Sequence, residues 1–241
     1  MTAGPEWWQN ARHLLAASRT RRAKQSSTSL LFPASLALIN LFLCAYSENP
    51  IKEDPSGHSL SLFLLAQGLG ILMLTLAHLS TTGVEILRKS LVMPVPGSAR
   101  LAFAIASSAR VPAIQAVVLS NVFFLLVLYH SSVATVLLVP LLGGVMAADI
   151  IVLASIAVVA AIRISRPPTI VAAWCVVGLL GVIAATLLLP LPAAPALLPP
   201  MSWTARGITA SVAGETWKAI IYGAAGTALL LASIVIGRRI A

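Results

Sequence analysis

Charged residues are scarce in this sequence, and acidic residues are the scarcest. Asp, Glu, Lys and Arg together make up 10% of the 241 residues, and only 7 residues are Asp or Glu. A typical soluble domain carries about 25% charged residues. Hydrophobic residues account for 59% of the chain, and the mean hydropathy is +0.95. These values exclude an ordinary soluble domain and predict an integral membrane protein.

Cysteines are also few, and known catalytic motifs are missing. The two cysteines, Cys44 and Cys175, both lie in apolar stretches and are too few for a disulfide framework or a zinc site. The chain has no G-x-x-x-x-G-K-[ST] phosphate-binding loop, no H-E-x-x-H zinc motif and no G-x-S-x-G nucleophile motif. It also lacks a basic stripe with interleaved aromatic residues, which argues against nucleic acid as a partner. We therefore expect no catalytic residue, metal or cofactor in this chain.

Six long apolar stretches fill most of the sequence. They are Leu30–Tyr46, Leu60–Leu79, Val111–Tyr129, Val133–Ile162, Ile170–Leu191 and Ala219–Ile236. A helix of about 20 apolar residues crosses a bilayer core of about 30 Å, and each stretch is close to that length or longer. The sequence therefore predicts an all-α membrane protein with six transmembrane helices in residues 30–241.

Basic residues lie mainly in alternate gaps between these stretches. One side holds 13 of the 16 Lys and Arg residues, namely Arg12, Arg19, Arg21, Arg22, Lys24, Arg88, Lys89, Arg100, Arg110, Arg163, Arg166, Arg238 and Arg239. The other side holds Lys52, Arg206 and Lys218. Because basic residues accumulate in cytoplasmic loops, we expect a multi-pass protein of the cell inner (cytoplasmic) membrane. Both termini are expected in the cytoplasm.

Residues 1–29 form a cytoplasmic segment before the first apolar stretch. Apolar and small residues recur there at helical spacing, at Trp7, Trp8, Ala11, Leu14, Leu15 and Ser18. Arg12, Arg19 and Arg22 lie off that stripe. A helix with Trp on its apolar side and Arg on its polar side is typical of the membrane interface. We predict an amphipathic interfacial helix, with a disordered basic tail as the alternative.

Two gaps between the stretches are longer than the rest. In the inner gap, residues 80–110, a helix is predicted to continue past His78, to end before Pro94 and to restart near Ala99. The outer gap, residues 192–218, is first proline-rich and then mildly amphipathic. It is too polar to cross the bilayer, so we predict a semi-apolar hairpin that re-enters the outer interface.

Four polar residues interrupt the apolar stretches: Asn40, Gln67, Asn121 and Asp149. The amides are more often interhelical hydrogen bonds than substrate ligands. Asp149 is the only acidic residue well inside a stretch, where a charge costs at least about 2.5–3.5 kcal/mol. It is either a cation contact or proton carrier on a transport pathway, or a packing residue. As a packing residue it should be neutral or matched by a group such as Asn121 or Gln67.

The inner gap carries the most specific sequence of the chain. From Glu85 to Val95 it reads Glu-Ile-Leu-Arg-Lys-Ser-Leu-Val-Met-Pro-Val. This segment resembles the first cytoplasmic loop of the permeases of type-two ABC exporters, which show a Glu, then Leu-x-x-Pro-[Val/Ile]-Ser, then a basic helix. The amphipathic helix, the six spans and the outer hairpin match the family in order. The sequence departs at Pro96, where the family often has Ser, and its following helix has fewer basic residues.

The resemblance implies a permease subunit that forms half of a translocation pathway. A separate ABC ATPase subunit, which holds the ATP and Mg, would dock on the inner gap through Glu85, Leu87, Arg88, Leu91 and Pro94. A second permease subunit would complete the pathway, as a homodimer or a heterodimer. The substrate class stays open.

Two other functions fit the sequence less closely. A small membrane oxidoreductase subunit could hold haem or quinone near His58 and His130, which both fall at the outer surface of the expected topology. A non-catalytic scaffold subunit of a membrane complex could keep a permease fold without transport.

Overall fold

The computed structural model describes residues 9–16, 31–53, 58–93, 95–128, 133–163 and 201–240. These residues form helices, with no strand among them. The helices are α1 (9–16), α2 (Leu31–Glu53), α3 (His58–His78), α4 (Val84–Val92), α5 (Gly97–Ala109), α6 (Pro112–Leu128), α7 (Val133–Arg163), α8 (Met201–Val212) and α9 (Thr216–Ile240), with a π-helical turn, Leu79–Gly83, between α3 and α4. The predicted all-α class is confirmed for the described residues.

Two helices in the described residues are long and apolar enough to cross a membrane. They are the segments Val136–Arg163 of α7 and Thr216–Arg239 of α9. The pair α5 and α6 is bent by 63° and makes a third span if it is counted as one. The apolar part of α3, Leu62–His78, is shorter. The described residues therefore supply two to three of the six expected spans, and the fifth stretch, Ile170–Leu191, lies outside them.

The first helix after the amino-terminal segment extends further than the sequence suggested. The first apolar stretch ends at Tyr46, but α2 continues beyond it to Glu53 with Pro50 inside the helix. Proline removes one backbone hydrogen bond, which is least disruptive near a helix end. The i,i+4 ion pair between Glu48 and Lys52 stabilises this last part of α2.

The helix α7 is the centre of the bundle. It runs for 31 residues without a break, through Pro140 and through Gly143 and Gly144. It packs against α3, α5, α6, α8 and α9. Every other long described helix except α2 is thus held in place by this one helix.

Buried apolar residues form two clusters. The larger one, the main core, draws on α2, α3, α6, α7 and α8 and includes Cys44, Phe63, Phe124, Leu142 and Ile208. The rings of Phe63 and Phe124 are 4.9 Å apart. The smaller one, which we name the α4 cluster, consists of Leu15, Leu79, Val84, Leu87, Phe103, Ala104, Val158, Val159 and Ile162. The α4 cluster therefore lies at the carboxyl-terminal end of α7.

The helix α1 packs on this smaller cluster. Ala11 and Leu15 are buried, whereas Arg12 and His13 are exposed. The apolar stripe predicted from the sequence thus faces protein at these two positions, because Leu15 fills space between α4, α5 and α7. The tryptophans expected at the interface, Trp7 and Trp8, lie outside the described residues.

Close approaches to glycines fix the direction of α9 against α7. A methyl group placed on these glycines would lie 2.7 Å from Leu142 at Gly223, 3.8 Å from Val145 at Gly226 and 2.7 Å from Ile156 at Gly237. The residue numbers of the paired positions increase together along both helices. The two helices therefore run parallel, with their basic ends, Arg163 and Arg238, on the same side.

The short helix α8 folds back along the first half of α9. The turn between them has Gly214 at φ 81°, a backbone conformation that favours glycine. Leu142 contacts Gly207 of α8, and Thr204 meets Gly226 of α9 beside Val145. Since Gly207 lies level with Leu142 and Thr204 with Val145, α8 runs antiparallel to α7. The described part of the predicted outer hairpin is therefore α8 and the turn that leads into α9, and its re-entry into the outer interface stays a prediction.

Candidate functional site

The predicted docking helix α4 has a charged, exposed side. Glu85, Arg88 and Lys89 are all exposed, and the Glu85 carboxylate lies 3.1 Å from the Lys89 ammonium one turn later. Both members of this pair are about half exposed, so it contributes little to stability. Its charges stay accessible to a partner that offers a better-placed ion pair.

The opposite side of α4 is buried. Val84, Leu87 and Ser90 face the protein, and the Ser90 hydroxyl donates a hydrogen bond of 2.6 Å to the Leu87 carbonyl. Only 2% of Leu87 is exposed, and it belongs to the α4 cluster. Leu87, which the resemblance assigned to docking, is therefore covered by helices of this chain and not available to a partner. Leu87 instead anchors α4, because its face of the helix turns towards α5 and α7.

Exposed apolar side chains follow at the end of α4. The exposed fractions are 39% for Leu91, 90% for Val92 and 54% for Met93. Pro94, which the resemblance also assigned to docking, lies outside the described residues. Leu91 to Met93 form an apolar edge beside the charged residues of α4, and this edge is the part of the helix able to enter a groove.

The π-helical turn makes α4 a direct continuation of α3. Its first residue, Leu79, is fully buried in the α4 cluster, and the chain remains helical from His58 to Val92. Single π turns inside helices occur often at functional sites. The helix α4 is therefore joined to α3 by continuous helix and contacts α7 through the α4 cluster.

The loop after α4 is tied to the start of α5. The guanidinium of Arg100 donates a hydrogen bond of 2.9 Å to the Val95 carbonyl, and the amide of Ala99 donates one of 3.0 Å to Pro96. The helix then restarts at Gly97. The interruption near Pro94 and the restart near Ala99 agree with the sequence prediction within two residues.

A cluster of buried polar side chains lies between α2 and α6. The Asn40 amide donates to the Ser120 hydroxyl and, over 3.4 Å, to the Asn121 side-chain carbonyl. The Cys44 thiol lies 3.9 Å from the same carbonyl. These side chains are buried. They join two helices, as the sequence indicated for Asn40 and Asn121. Gln67 is also buried, on α3.

Asp149 is the most unusual side chain of the bundle. It is 1% exposed, and neither carboxylate oxygen has a hydrogen-bond partner within the described part of the chain. Of the two alternatives for a packing residue, a match with Asn121 does not form, because Asn121 bonds to the α2 side chains instead. A match with Gln67 is absent from the described residues too, so a neutral Asp149 stays the prediction.

The helix registers place Asp149 of α7 at the same depth as the middle of α9 and the start of α8. It follows Leu142 by seven residues and precedes Ile156 by seven, which puts all three on one side of α7. Since Leu142 and Ile156 meet Gly223 and Gly237 of α9, Asp149 lies level with the middle of that helix. Along α8, Thr204 lies level with Val145 of α7. Because the two helices are antiparallel, Met201, the first residue of α8, lies about three residues further along α7. The amino-terminal end of α8 is therefore at the depth of Asp149.

No metal site is evident in the described residues, since no three His, Cys, Asp or Glu side chains lie together there. The side chain of His58 and the whole of His130 fall outside the described residues. The haem or quinone hypothesis therefore has no described ligand pair.

No protein-family model, curated protein or solved structure matches the chain.

Sequence reasoning missed two features of these sites. The packing of α1 on the α4 cluster was missed because a stripe of Ala11 and Leu15 looks the same whether lipid or protein covers it. The position of α8 beside Asp149 was missed because it depends on long-range register. The small residues Gly207, Gly223 and Gly226 were the signal that could have indicated it.

Proposed function

We propose that this chain is the permease subunit of an ATP-driven ABC exporter and that α4 is its docking helix for a separate ATPase. The observation that carries the proposal is α4 itself. It is a nine-residue helix whose buried side is held by the α4 cluster, whose other side exposes Glu85, Arg88 and Lys89, and which ends in the apolar edge at Leu91 to Met93. Its sequence is also the segment that resembles the exporter family.

The arrangement of the long helices supports the proposed topology. Six spans with both termini inside require the fourth and sixth spans to run in the same direction, and α7 and α9 are parallel. Their basic ends then share one side with α4, because Val158 and Ile162 of α7 contact the same cluster as Leu87. The basic residues and the proposed docking helix together support a cytoplasmic location of this side.

In the proposed mechanism, nucleotide binding in the ATPase moves α4, and rigid contacts carry the movement into the bundle. The π turn links α4 to α3, and Leu87 links it to α5 and α7. A second permease subunit completes the translocation pathway, and the lipid bilayer covers the exposed apolar faces of α2 and α9. ATP and Mg are bound by the partner ATPase.

The first prediction tests docking through charge reversal. Glu85→Arg removes the pair with Lys89 and reverses the charge offered to the partner, so ATPase capture by the tagged permease should fall at least about tenfold. The measurement is co-purification from detergent-solubilised membranes followed by ATP turnover of the complex.

The matched control is Glu215→Arg. Glu215 is also exposed and also paired with a lysine, Lys218, at 2.7 Å. It lies directly before the first residue of α9, at the end of that helix far from α4. This variant should capture the ATPase at the wild-type yield. Unchanged capture by Glu85→Arg, with normal ATP turnover, would show that α4 is not the docking helix.

A further inference from the structure

The carboxyl-terminal end of α9 combines an exposed apolar face with two exposed arginines. Leu231, Val235 and Ile236 are each more than half exposed, and Arg238 and Arg239, which follow directly, are exposed as well. A membrane lipid has its parts in the same order, since its apolar chains lie in the bilayer core and its phosphate lies at the surface. This end of α9 therefore matches a lipid both in chemistry and in direction.

A third arginine belongs to the same corner of the bundle. A methyl group on Gly237 would lie 3.0 Å from the Leu101 side chain, so the end of α9 packs against the first turns of α5. Arg100 directly precedes Leu101 and is partly buried. Its guanidinium donates one hydrogen bond to the Val95 carbonyl, but its Nε is buried with no hydrogen-bond partner among the described residues. We name three residues the basic corner: Arg100, Arg238 and Arg239.

Arginines outnumber carboxylates at the basic corner. The helices α5 and α9 contain no acidic residue. The helix α7 contains only Asp149, which lies 14 residues before Arg163 at the end of that helix, a rise of about 21 Å. On the same side of the bundle, Glu85 pairs with Lys89. The sequence therefore supplies little negative charge of its own to the basic corner.

The other exposed apolar faces end in balanced charges. The helix α2, which also has an exposed apolar face, carries the ion pair of Glu48 with Lys52 near its end. The opposite end of α9 carries the pair of Glu215 with Lys218. A neutral lipid suits both of these ends, whereas a lipid with a negative headgroup is favoured at the basic corner.

We propose that the basic corner binds an anionic phospholipid of the cytoplasmic leaflet. The phosphate accepts hydrogen bonds from the arginines, because a guanidinium group matches phosphate oxygens with two parallel donors. The acyl chains lie along Leu231, Val235 and Ile236. Basic groups between transmembrane helices on the cytoplasmic side are typical of such lipid sites. The leaflet follows from the proposed topology, but the site itself depends neither on transport nor on an ATPase.

Thermal unfolding of the purified full-length protein in a neutral sugar detergent tests the lipid site. Phosphatidylglycerol should raise the unfolding temperature with increasing concentration, because a ligand of the folded state stabilises it. Phosphatidylcholine has similar chains without net charge, and inorganic phosphate has the charge without chains, so each should raise the temperature much less. Equal stabilisation by the two lipids would show that charge is not recognised. Equal stabilisation by inorganic phosphate would identify a site for a free anion, and either result contradicts the proposal.

A double variant locates the site. Arg238→Gln with Arg239→Gln removes two charges of the basic corner, so the affinity for phosphatidylglycerol should fall at least about tenfold. Without lipid, its unfolding temperature should change little, because both side chains are exposed. The control, Lys52→Gln with Lys218→Gln, removes the same charge from the two balanced pairs and should keep the wild-type affinity. Unchanged affinity in the arginine variant would exclude the basic corner, and equal losses in both variants would show a response to net charge alone.

Discussion

Two apolar residues of α4 have opposite environments, and this contrast separates the buried side of the helix from its exposed end. Leu87 is 2% exposed and Val92 is 90% exposed. Leu87 stabilises the fold because α5 and α7 surround it, whereas Val92 contributes area only when a partner covers it. The proposed docking surface is thus the charged side and the carboxyl-terminal edge of α4, and the buried side attaches the helix to the bundle.

Truncating these two residues should separate stability from docking. Leu87→Ala leaves a cavity in the α4 cluster and should lower the free energy of unfolding by about 2–5 kcal/mol. Val92→Ala should change stability by less than about 0.5 kcal/mol yet weaken ATPase binding by more than about 1 kcal/mol. Thermal unfolding in detergent and titration with the ATPase measure the two effects. Equal losses of stability in both variants would contradict the assignment of the two faces.

Among the elements, α8 is the one whose position depends most on small residues. It packs closely on α7 and α9 because Gly207 lets Leu142 of α7 approach α8 and Gly226 lets Thr204 of α8 approach α9. The sequence predicted a semi-apolar hairpin here, since its composition is too polar for a span. It did not reveal where the hairpin packs, because that depends on which side chain meets each glycine.

Adding one methyl group at the α8–α9 contact should destabilise the hairpin. In Gly226→Ala the new Cβ would lie 2.6 Å from the methyl carbon of Thr204, a fully buried residue. Such overpacking costs about 1–3 kcal/mol. The same change at Gly144, where nothing lies within 4 Å, should be neutral or stabilising by up to about 1 kcal/mol. Thermal unfolding compares the two variants, and equal transition temperatures would exclude close packing at Gly226.

Across the whole molecule, the periodicity and hydropathy of the sequence predicted the helices better than the contacts between them. The helical class and the break of the inner gap near Pro94 follow from residue type and local spacing, and the structure agrees with both. The extension of α2 through Pro50 was missed because a proline near a helix end is tolerated. The lack of a described hydrogen-bond partner for Asp149 could not be predicted. The sequence offers Asn121 as a partner, and only the fold shows that Asn121 accepts a hydrogen bond from Asn40 instead.

The central claim is that this chain works with a separate ATPase, and co-purification tests it most directly. The tagged protein would be isolated from native membranes under mild detergent, and its bound subunits identified by mass spectrometry. We predict a stoichiometric partner with a phosphate-binding loop, whose ATP turnover depends on the intact α4. Purification without any such partner, or with a bound chromophore absorbing visible light, would contradict the account.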